Sequence, residues 1–268
     1  KIFSLKRRPV INPVIIHFRD LKDLKNDVVL NNSFMKLYRA FCPGPITFIL
    51  KKKDVSKISK KATAGKNTVA VRIPKHRIAR KLLKILKTPL AAPSANISSK
   101  LSPTSANDVV DEFGNKIKFI LDGGSCKIGI ESTIIDLTDK PAILRPGIIT
   151  LDKINKVLNK KIKIKKNLKK ITSPGQLKLH YSPGIPIKMN KKYPKKNQAL
   201  IVFGKKFKKK ENHFNLSKNG SLKEAANNLY KIMRKIKKKK YLSIAITKIP
   251  NLGIGRAIND RLSKASNK

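Results

Sequence analysis

The amino-terminal stretch KIFSLKRRPVINPVIIHF sets Lys6, Arg7 and Arg8 before a proline, with Asn12 and then His17 closing the apolar run that follows. Farther along, small polar residues stand in turn-forming company near cations. These are Ser94 and Asn96 in PSAN, Ser102 and Thr104 in SPT, Ser132 and Thr133 in EST, and Arg145 directly before Pro-Gly. Hydroxyls, turn amides and guanidinium forks are the donors that bind phosphate and carboxylate oxygens in defined geometry. Nucleotidyl or phosphoryl transfer can run largely on positioning and charge stabilisation, so such a site needs cations and donors more than a proton shuttle. Singly, SAN and SPT are also the ordinary vocabulary of helix caps and turns. His17 alone reads equally as a strand-end histidine.

Other chemistries find less support. The sequence has no H-E-x-x-H, G-x-S-x-G or Walker pattern, and no pair of carboxylates stands out as acid and base. The sparse, scattered acids argue against a protein-built cage for a divalent metal. Cys42 and Cys126 lie far apart, outside any zinc-ligand spacing, and read as small packing residues in a reducing compartment. Asp122 precedes two glycines and reads as a turn former, while His76 and His213 belong to no pattern. No apolar run approaches the roughly 18 residues of a membrane span, and no signal peptide is visible.

The elements that must hold these residues alternate in type. Short strands are predicted at 14–18, 46–50, 68–73, 90–92, 118–121, 133–137 and 142–144. Helices are predicted over FMKLYRAF with Ser33 as cap, over about 75–87, and from a Thr104 cap to Phe113. The class is α/β with a mixed sheet. Residues 159–172 are lysine-rich and weakly patterned, and SPGQLKLHYSPG (173–184) reads as a linker between turn signals. A second small α/β unit follows: strands at 199–203 and 241–247, and a helix opened by Ser221 with Glu224 completing a capping box. Leu222, Ala225, Ala226, Leu229, Met233 and Ile236 form that helix's buried stripe, and a last helix starts near Gly255.

The 268 residues allow one large domain or two ordinary ones. Lys and Arg number 63, of which 52 are lysine, against 15 Asp and Glu, for a formal net charge of +48. The charge is uneven, net +18 over residues 1–150 and net +30 over 151–268, which hints at two units. Charge of this size attracts polyanions whether it reflects selection or an AT-rich coding bias. The lysine runs at 208–210 and 237–240 read as solvated ends and loops.

Taken in order, K-x-R-P-x-x-N-P-x-x-x-H, PGPxT, TVAVRxP, APSAN, SPT, DGG, GxEST and LRPG closely resemble the YrdC/Sua5 family. Members of that family are threonylcarbamoyl-AMP synthases of tRNA modification. SPGQLKLHYSP resembles the family's interdomain linker, and LGIGRAINDRLSKAS the last helix of its longer, Sua5-type members. The resemblance covers nearly the whole chain. It implies a YrdC-like twisted mixed sheet with helices over residues 1–158, a linker over 159–183, and a small Rossmann-like Sua5 domain over 184–268.

The activity implied is nucleotidyl transfer. L-Threonine and bicarbonate or CO2 give a carbamate, which attacks the α-phosphate of ATP and leaves threonylcarbamoyl-AMP and pyrophosphate. Mg2+ is expected bound to ATP. A separate transferase complex then passes the threonylcarbamoyl group to adenosine 37 of tRNA, in the cytoplasm. By resemblance, Lys6, Arg8, Ser94 and Asn96 form the catalytic set. Arg8, Asn12, Thr68, Ser94, Ser102, Arg145 and Tyr181 contact ATP. His17, Arg72, Ala92 and Ser132 hold threonine. His180 and Tyr181 resemble linker residues that fold back over the site.

One departure stands beside this match. Family members begin with a strand and loop carrying P-T-[ED]-T-[VT]-Y-G-L, and no such sequence precedes K-x-R here. The resemblance therefore implies that part of the threonine pocket is missing and that a sheet edge is unpaired. Two rival readings remain. A YrdC-type RNA-binding protein without synthase activity would explain the charge, though the few aromatic residues show no stacking motif. A hydrogenase-maturation module would bring zinc-finger cysteines and an acylphosphatase unit, and neither is in the sequence.

Overall fold

The computed structural model describes residues 1–165, 171–176, 179–207 and 210–266. In chain order the elements are α1 (Ile2–Leu5), β1 (Ile15–His17), α2 (Leu21–Leu24), α3 (Asn32–Phe41), β2 (Ile46–Lys51), α4 (Lys60–Thr63), β3 (Thr68–Arg72), α5 (Arg77–Leu86), β4 (Leu90–Ala91) and α6 (Ala106–Phe113). There follow β5 (Thr133–Asp136), β6 (Ala142–Arg145), α7 (Leu151–Leu158), β7 (Lys163–Ile164), β8 (Ile187–Lys188), β9 (Gln198–Val202), β10 (His213–Asn215), α8 (Leu222–Lys238), β11 (Ser243–Ile246) and α9 (Gly255–Ser266). The fold is mixed α/β, as the alternation of patterns predicted. Among the described residues no helix is long and apolar enough to cross a membrane.

The chain condenses into two compact units. The first holds Lys1–Ser4, Arg8–Pro93 and Glu131–Gln176; the second holds Leu5–Arg7, Ser94–Ile130 and Leu177–Lys268. The first unit is built on a mixed sheet ordered β4-β1-β3-β2-β5-β6-β7. β1 runs parallel to β3, β2 antiparallel to β3 and parallel to β5, and β6 antiparallel to β5. Successive side chains on a strand point to opposite faces. One face carries the main core: Ile16, Ile46, Phe48, Leu50, Val69, Val71, Ile135 and Ile143 pack with Phe34 and Leu37 of α3 and Ile154 and Leu158 of α7. The other face has a thin apolar layer of Ile15, Ile49, Ala70, Ile134 and Leu144. His17, Thr47 and Arg72 alternate onto this second face, because each lies two residues from a member of that layer.

The second unit has an all-parallel sheet ordered β10-β9-β11-β8, in keeping with the Rossmann-like expectation. Parallel strands are buried on both faces, and β9 reads QALIV with every residue buried. α8 buries Ala225, Ala226, Leu229, Tyr230, Met233 and Ile236, matching the predicted stripe except that Leu222 is only partly covered and Tyr230 joins it. Leu101 and Ile130, from far earlier in the chain, share this core with α8 and α9.

Several local expectations need correction. Residues 118–121 form no strand; Phe119 is 88% and Leu121 64% exposed. Their composition suits a strand, but a strand exists only through pairing, and this segment pairs with no described strand. α3 is capped by Asn31, not Ser33, because the Asn31 side chain accepts from the Phe34 amide. α6 is capped by Ser105, while Thr104 donates its amide and hydroxyl to the Asp108 carboxylate. At α8 the Ser221 hydroxyl accepts from the Glu224 amide as predicted. The return half of the capping box is rerouted: Glu224 accepts from the Ser217 hydroxyl, which itself accepts from the Ser221 amide. α7 was not anticipated, although Thr150 caps it and Ile154 and Leu158 sit one turn apart in the core. Of the proposed linker and lysine runs, residues 166–170, 177–178 and 208–209 lie outside the described residues.

Candidate active site

The first unit gathers its polar residues on the thin second face of the sheet. Arg145, at the end of β6, donates from Nε to the Ser132 carbonyl at 3.0 Å and from Nη2 to the Ser132 hydroxyl at 3.0 Å. That hydroxyl is also 2.7 Å from Thr47 Oγ1. Ser132, Thr47 and Arg145 are buried. Gly147 lets the Arg145-Pro146-Gly147 turn close on this point, since a Cβ there would stand 2.5 Å from the Thr133 amide nitrogen. Arg72, at the end of β3, donates from Nε to the Gly44 carbonyl at 3.1 Å, so the PGP turn aims the guanidinium.

These groups perturb one another. Burial lowers the Arg72 pKa to about 10, the like charge of Arg145 adds to the fall, and the nearby Cys42 opposes it. Burial pushes the Cys42 thiol up to about 12, so at neutral pH it is a protonated packing group, as its sequence context suggested. His17 is held down to about 4, by burial first and by the Arg72 charge second. It is therefore a neutral imidazole at neutral pH, and its buried Nδ1 has no hydrogen-bond partner among the described residues. A buried guanidinium, Arg145, and a partly buried one, Arg72, stand near an uncharged imidazole and two hydroxyls, a cluster short of negative charge. A small carboxylate would relieve the repulsion between the two cations.

Nearby in sequence, Arg8 organises its own loop. Its Nε donates to the Asn12 carbonyl at 3.0 Å, and its Nη2 donates to Asn12 Oδ1 at 2.7 Å and to the Pro13 carbonyl at 2.6 Å. Asn12 is fully buried, and its Nδ2 has no partner among the described residues. An unmade bond on a buried amide costs about 1–3 kcal/mol, so such a donor is a place to look for a ligand. Thr68 is half-buried at the start of β3, paired with Lys51, and Ala92 is exposed just after β4.

The second unit joins residues about ninety positions apart. Lys6, only 5% exposed, donates its ammonium to the Ser94 carbonyl at 2.5 Å and to the Asn96 carbonyl. Asn96 is buried and donates from Nδ2 to the carbonyls of Ile97 and Lys100, at 2.7 and 2.9 Å. Its Oδ1 has no partner among the described residues. Lys6 and the S-x-N turn thus form one polar cluster, and Arg7 beside Lys6 is exposed at φ 49°. Ser102 is buried in the turn before α6.

Tyr181 is an interior residue of the second unit. It is 1% exposed in the core of the second unit, stacked on Tyr230 at 5.9 Å between ring centroids. The guanidinium of Arg261 lies over its ring at 5.1 Å. His180 packs against it at 3.9 Å and donates its amide to the Lys264 carbonyl of α9. In this conformation both linker residues serve packing. Among the described residues no group of three or more His, Cys, Asp or Glu side chains is placed to hold a metal ion.

Thr47 and Gly44 carry part of the site without having been singled out. The PGPxT motif contained both, but nothing in local spacing showed that Gly44 would orient Arg72 or that Thr47 would meet Ser132 across paired strands.

The fold and these clusters define an α/β protein that buries cations and amide donors. The chain belongs to the Sua5/YciO/YrdC family: a family model described as "Telomere recombination" matches residues 1–147. A second model, the threonylcarbamoyl-AMP synthase C-terminal domain, matches residues 149–267. A curated relative from Pyrococcus abyssi, named threonylcarbamoyl-AMP synthase, is 37% identical over 99% of this chain and 83% of its own length. One from Bacillus subtilis with the same name is 34% identical over 99% of this chain and 82% of its own. The crystal structure of P. abyssi Sua5 complexed with L-threonine superposes with a TM-score of 0.89 at 35% identity, covering 99% of this chain and 83% of that one.

Proposed function

We propose that the protein is a threonylcarbamoyl-AMP synthase, an enzyme that joins L-threonine, bicarbonate or CO2 and ATP into L-threonylcarbamoyladenylate and pyrophosphate. The observation that carries the reading is the Arg72–Arg145–Ser132 arrangement, two neighbouring guanidiniums on a small buried hydroxyl set, with the threonine-bound relative of the same fold beside it. In this reading Arg72 pairs with the threonine carboxylate, while His17, Ala92 and Ser132 line the amino-acid side. Arg8, Asn12, Thr68, Ser94, Ser102 and Arg145 contact ATP, and Tyr181 does so once it leaves its packed position.

The reaction is a displacement at phosphorus. A carbamate oxygen of N-carboxythreonine forms a bond to the α-phosphorus, and the bond to the pyrophosphate oxygen breaks. Both partners are anions, so bringing them together is the main obstacle. Lys6, Arg8 and Arg145 offset that repulsion and the charge that grows on the α-phosphate; one such donor is worth about 3 kcal/mol of transition-state stabilisation. Mg2+ enters with ATP and keeps most of its own waters. The product then serves a separate transferase complex acting on adenosine 37 of tRNA, a cytoplasmic role. Residues 1–158 carry the catalytic domain in this reading, 159–183 the linker and 184–268 the Sua5-type domain.

The test is pyrophosphate release by the purified protein given ATP, bicarbonate and a panel of amino acids. Release that requires both bicarbonate and threonine supports the assignment. Turnover indifferent to threonine overturns it.

A further inference from the structure

We propose that Arg234, on α8, is a positioning residue for the Ser102-Pro103-Thr104 turn, so that ATP binding depends on the carboxy-terminal Sua5 domain. The inference rests on the reading of Ser102 as an ATP contact.

Arg234 grips the turn from both sides. Its Nη2 donates to the Leu101 carbonyl at 2.8 Å, immediately before Ser102. Its Nε lies 3.3 Å from Asp108 Oδ2, an ion pair between side chains 18% and 16% exposed. The same Asp108 oxygen accepts from the Thr104 amide at 2.7 Å and the Thr104 hydroxyl at 2.9 Å. The path Leu101–Arg234–Asp108–Thr104 therefore closes a ring of polar contacts around Ser102. The bond to Leu101 is charge-assisted and the contact with Asp108 is an ion pair without hydrogen-bond geometry, and the planar guanidinium reaches both acceptors where an ammonium cannot.

The surrounding contacts keep Arg234 in place. Leu101 is 3% exposed in the same core as Leu229, Tyr230 and Met233 of α8. Asn227, two turns earlier on α8, donates to the Lys127 carbonyl at 2.8 Å. Gly129, at φ +76°, approaches so near that a Cβ would stand 2.5 Å from the Asn227 backbone. The helix is thus docked on residues 94–130, which bear Ser102, at Leu101 and again where Asn227 meets Lys127 and Gly129. None of the motifs read from the sequence includes Arg234 or Asp108.

The test uses the full chain with Arg234→Met, Arg234→Lys and Asp108→Asn. Hydrogen exchange at the Thr104 amide reads the turn itself, and ATP affinity by calorimetry reads its consequence. Arg234→Met should speed exchange at Thr104 and weaken ATP binding roughly tenfold, leaving the KM for threonine unchanged. Arg234→Lys should recover little, and Asp108→Asn on top of Arg234→Met should add little, because the two act through one ring. Unchanged exchange at Thr104 in Arg234→Met overturns the proposal, as does equal loss of ATP and threonine binding. If exchange quickens while the parent protein binds no ATP, the clamp stands and the assignment of Ser102 falls.

Discussion

His17 and Arg72 show how one face of a short strand pair becomes a chemical environment. β1 and β3 pair in parallel with His17 opposite Arg72, so the two side chains are neighbours by register. The guanidinium and burial together keep the imidazole uncharged, with a pKa near 4 against 6.5. Between those values the unfolded chain binds a proton that the folded chain refuses. Stability tied to His17 is therefore complete above pH 6.5 and is lost as the pH falls toward 4, by on the order of 2–3 kcal/mol. Urea unfolding at pH 7 and pH 4.5 checks this: His17→Gln should be less sensitive to acid than the parent. Equal sensitivity would mean that His17 protonates freely in the fold. Arg72 supplies a second prediction. Its Nε is committed to the Gly44 carbonyl, which leaves the outer edge of the fork for a carboxylate. Arg72→Lys should raise the KM for threonine roughly tenfold with the KM for ATP unmoved, because a lysine cannot both hold Gly44 and present two parallel donors. Steady-state kinetics in each substrate will show whether the two constants separate.

At the scale of elements, what the sequence disclosed tracks how local the cause was. The stripe of α8 and the apolar run of β9 follow from period and composition alone, and both are found where they were expected. Lys6 and the S-x-N turn could be linked beforehand only by resemblance, since the bonds from Lys6 to Ser94 and Asn96 bridge about ninety residues. Residues 118–121 failed for the opposite reason: their local pattern suits a strand, but pairing decides. Caps show the same competition on a small scale. Ser33 and Asn31 are both good caps by type, and the choice goes to Asn31 because its Nδ2 also donates to the Leu137 carbonyl at 2.9 Å, a bond far away in sequence. Asn31→Ala should therefore cost about 1–2 kcal/mol in chemical denaturation, and Ser33→Ala close to nothing. A loss at Ser33 as large as at Asn31 would show that the cap is shared.

For the molecule as a whole, the formal charge of +48 acts in two ways that separate from the chemistry of the site. Like charges repel one another in the folded chain, where they are closest, and salt screens that repulsion. The Debye length shrinks from about 30 Å at 0.01 M to about 8 Å at 0.15 M, so the melting temperature should rise over that range. A flat profile would mean that the cations are already well separated by solvent. The same surface should bind RNA without regard to sequence, and that binding should collapse with salt, because each phosphate neutralised releases a counterion. Lys6 distinguishes this behaviour from catalysis. At 5% exposure, with its ammonium held by two carbonyls, it is removed from the diffuse surface charge. Lys6→Ala should leave RNA affinity and its salt slope within about twofold, since one cation among many is lost. Threonine-dependent pyrophosphate release should fall roughly a hundredfold in the same variant, because the anions of the reaction lose a fixed donor. Filter binding on an RNA homopolymer beside the pyrophosphate assay measures both effects on one preparation. Parallel losses would place Lys6 on the polyanion surface and remove it from the reaction.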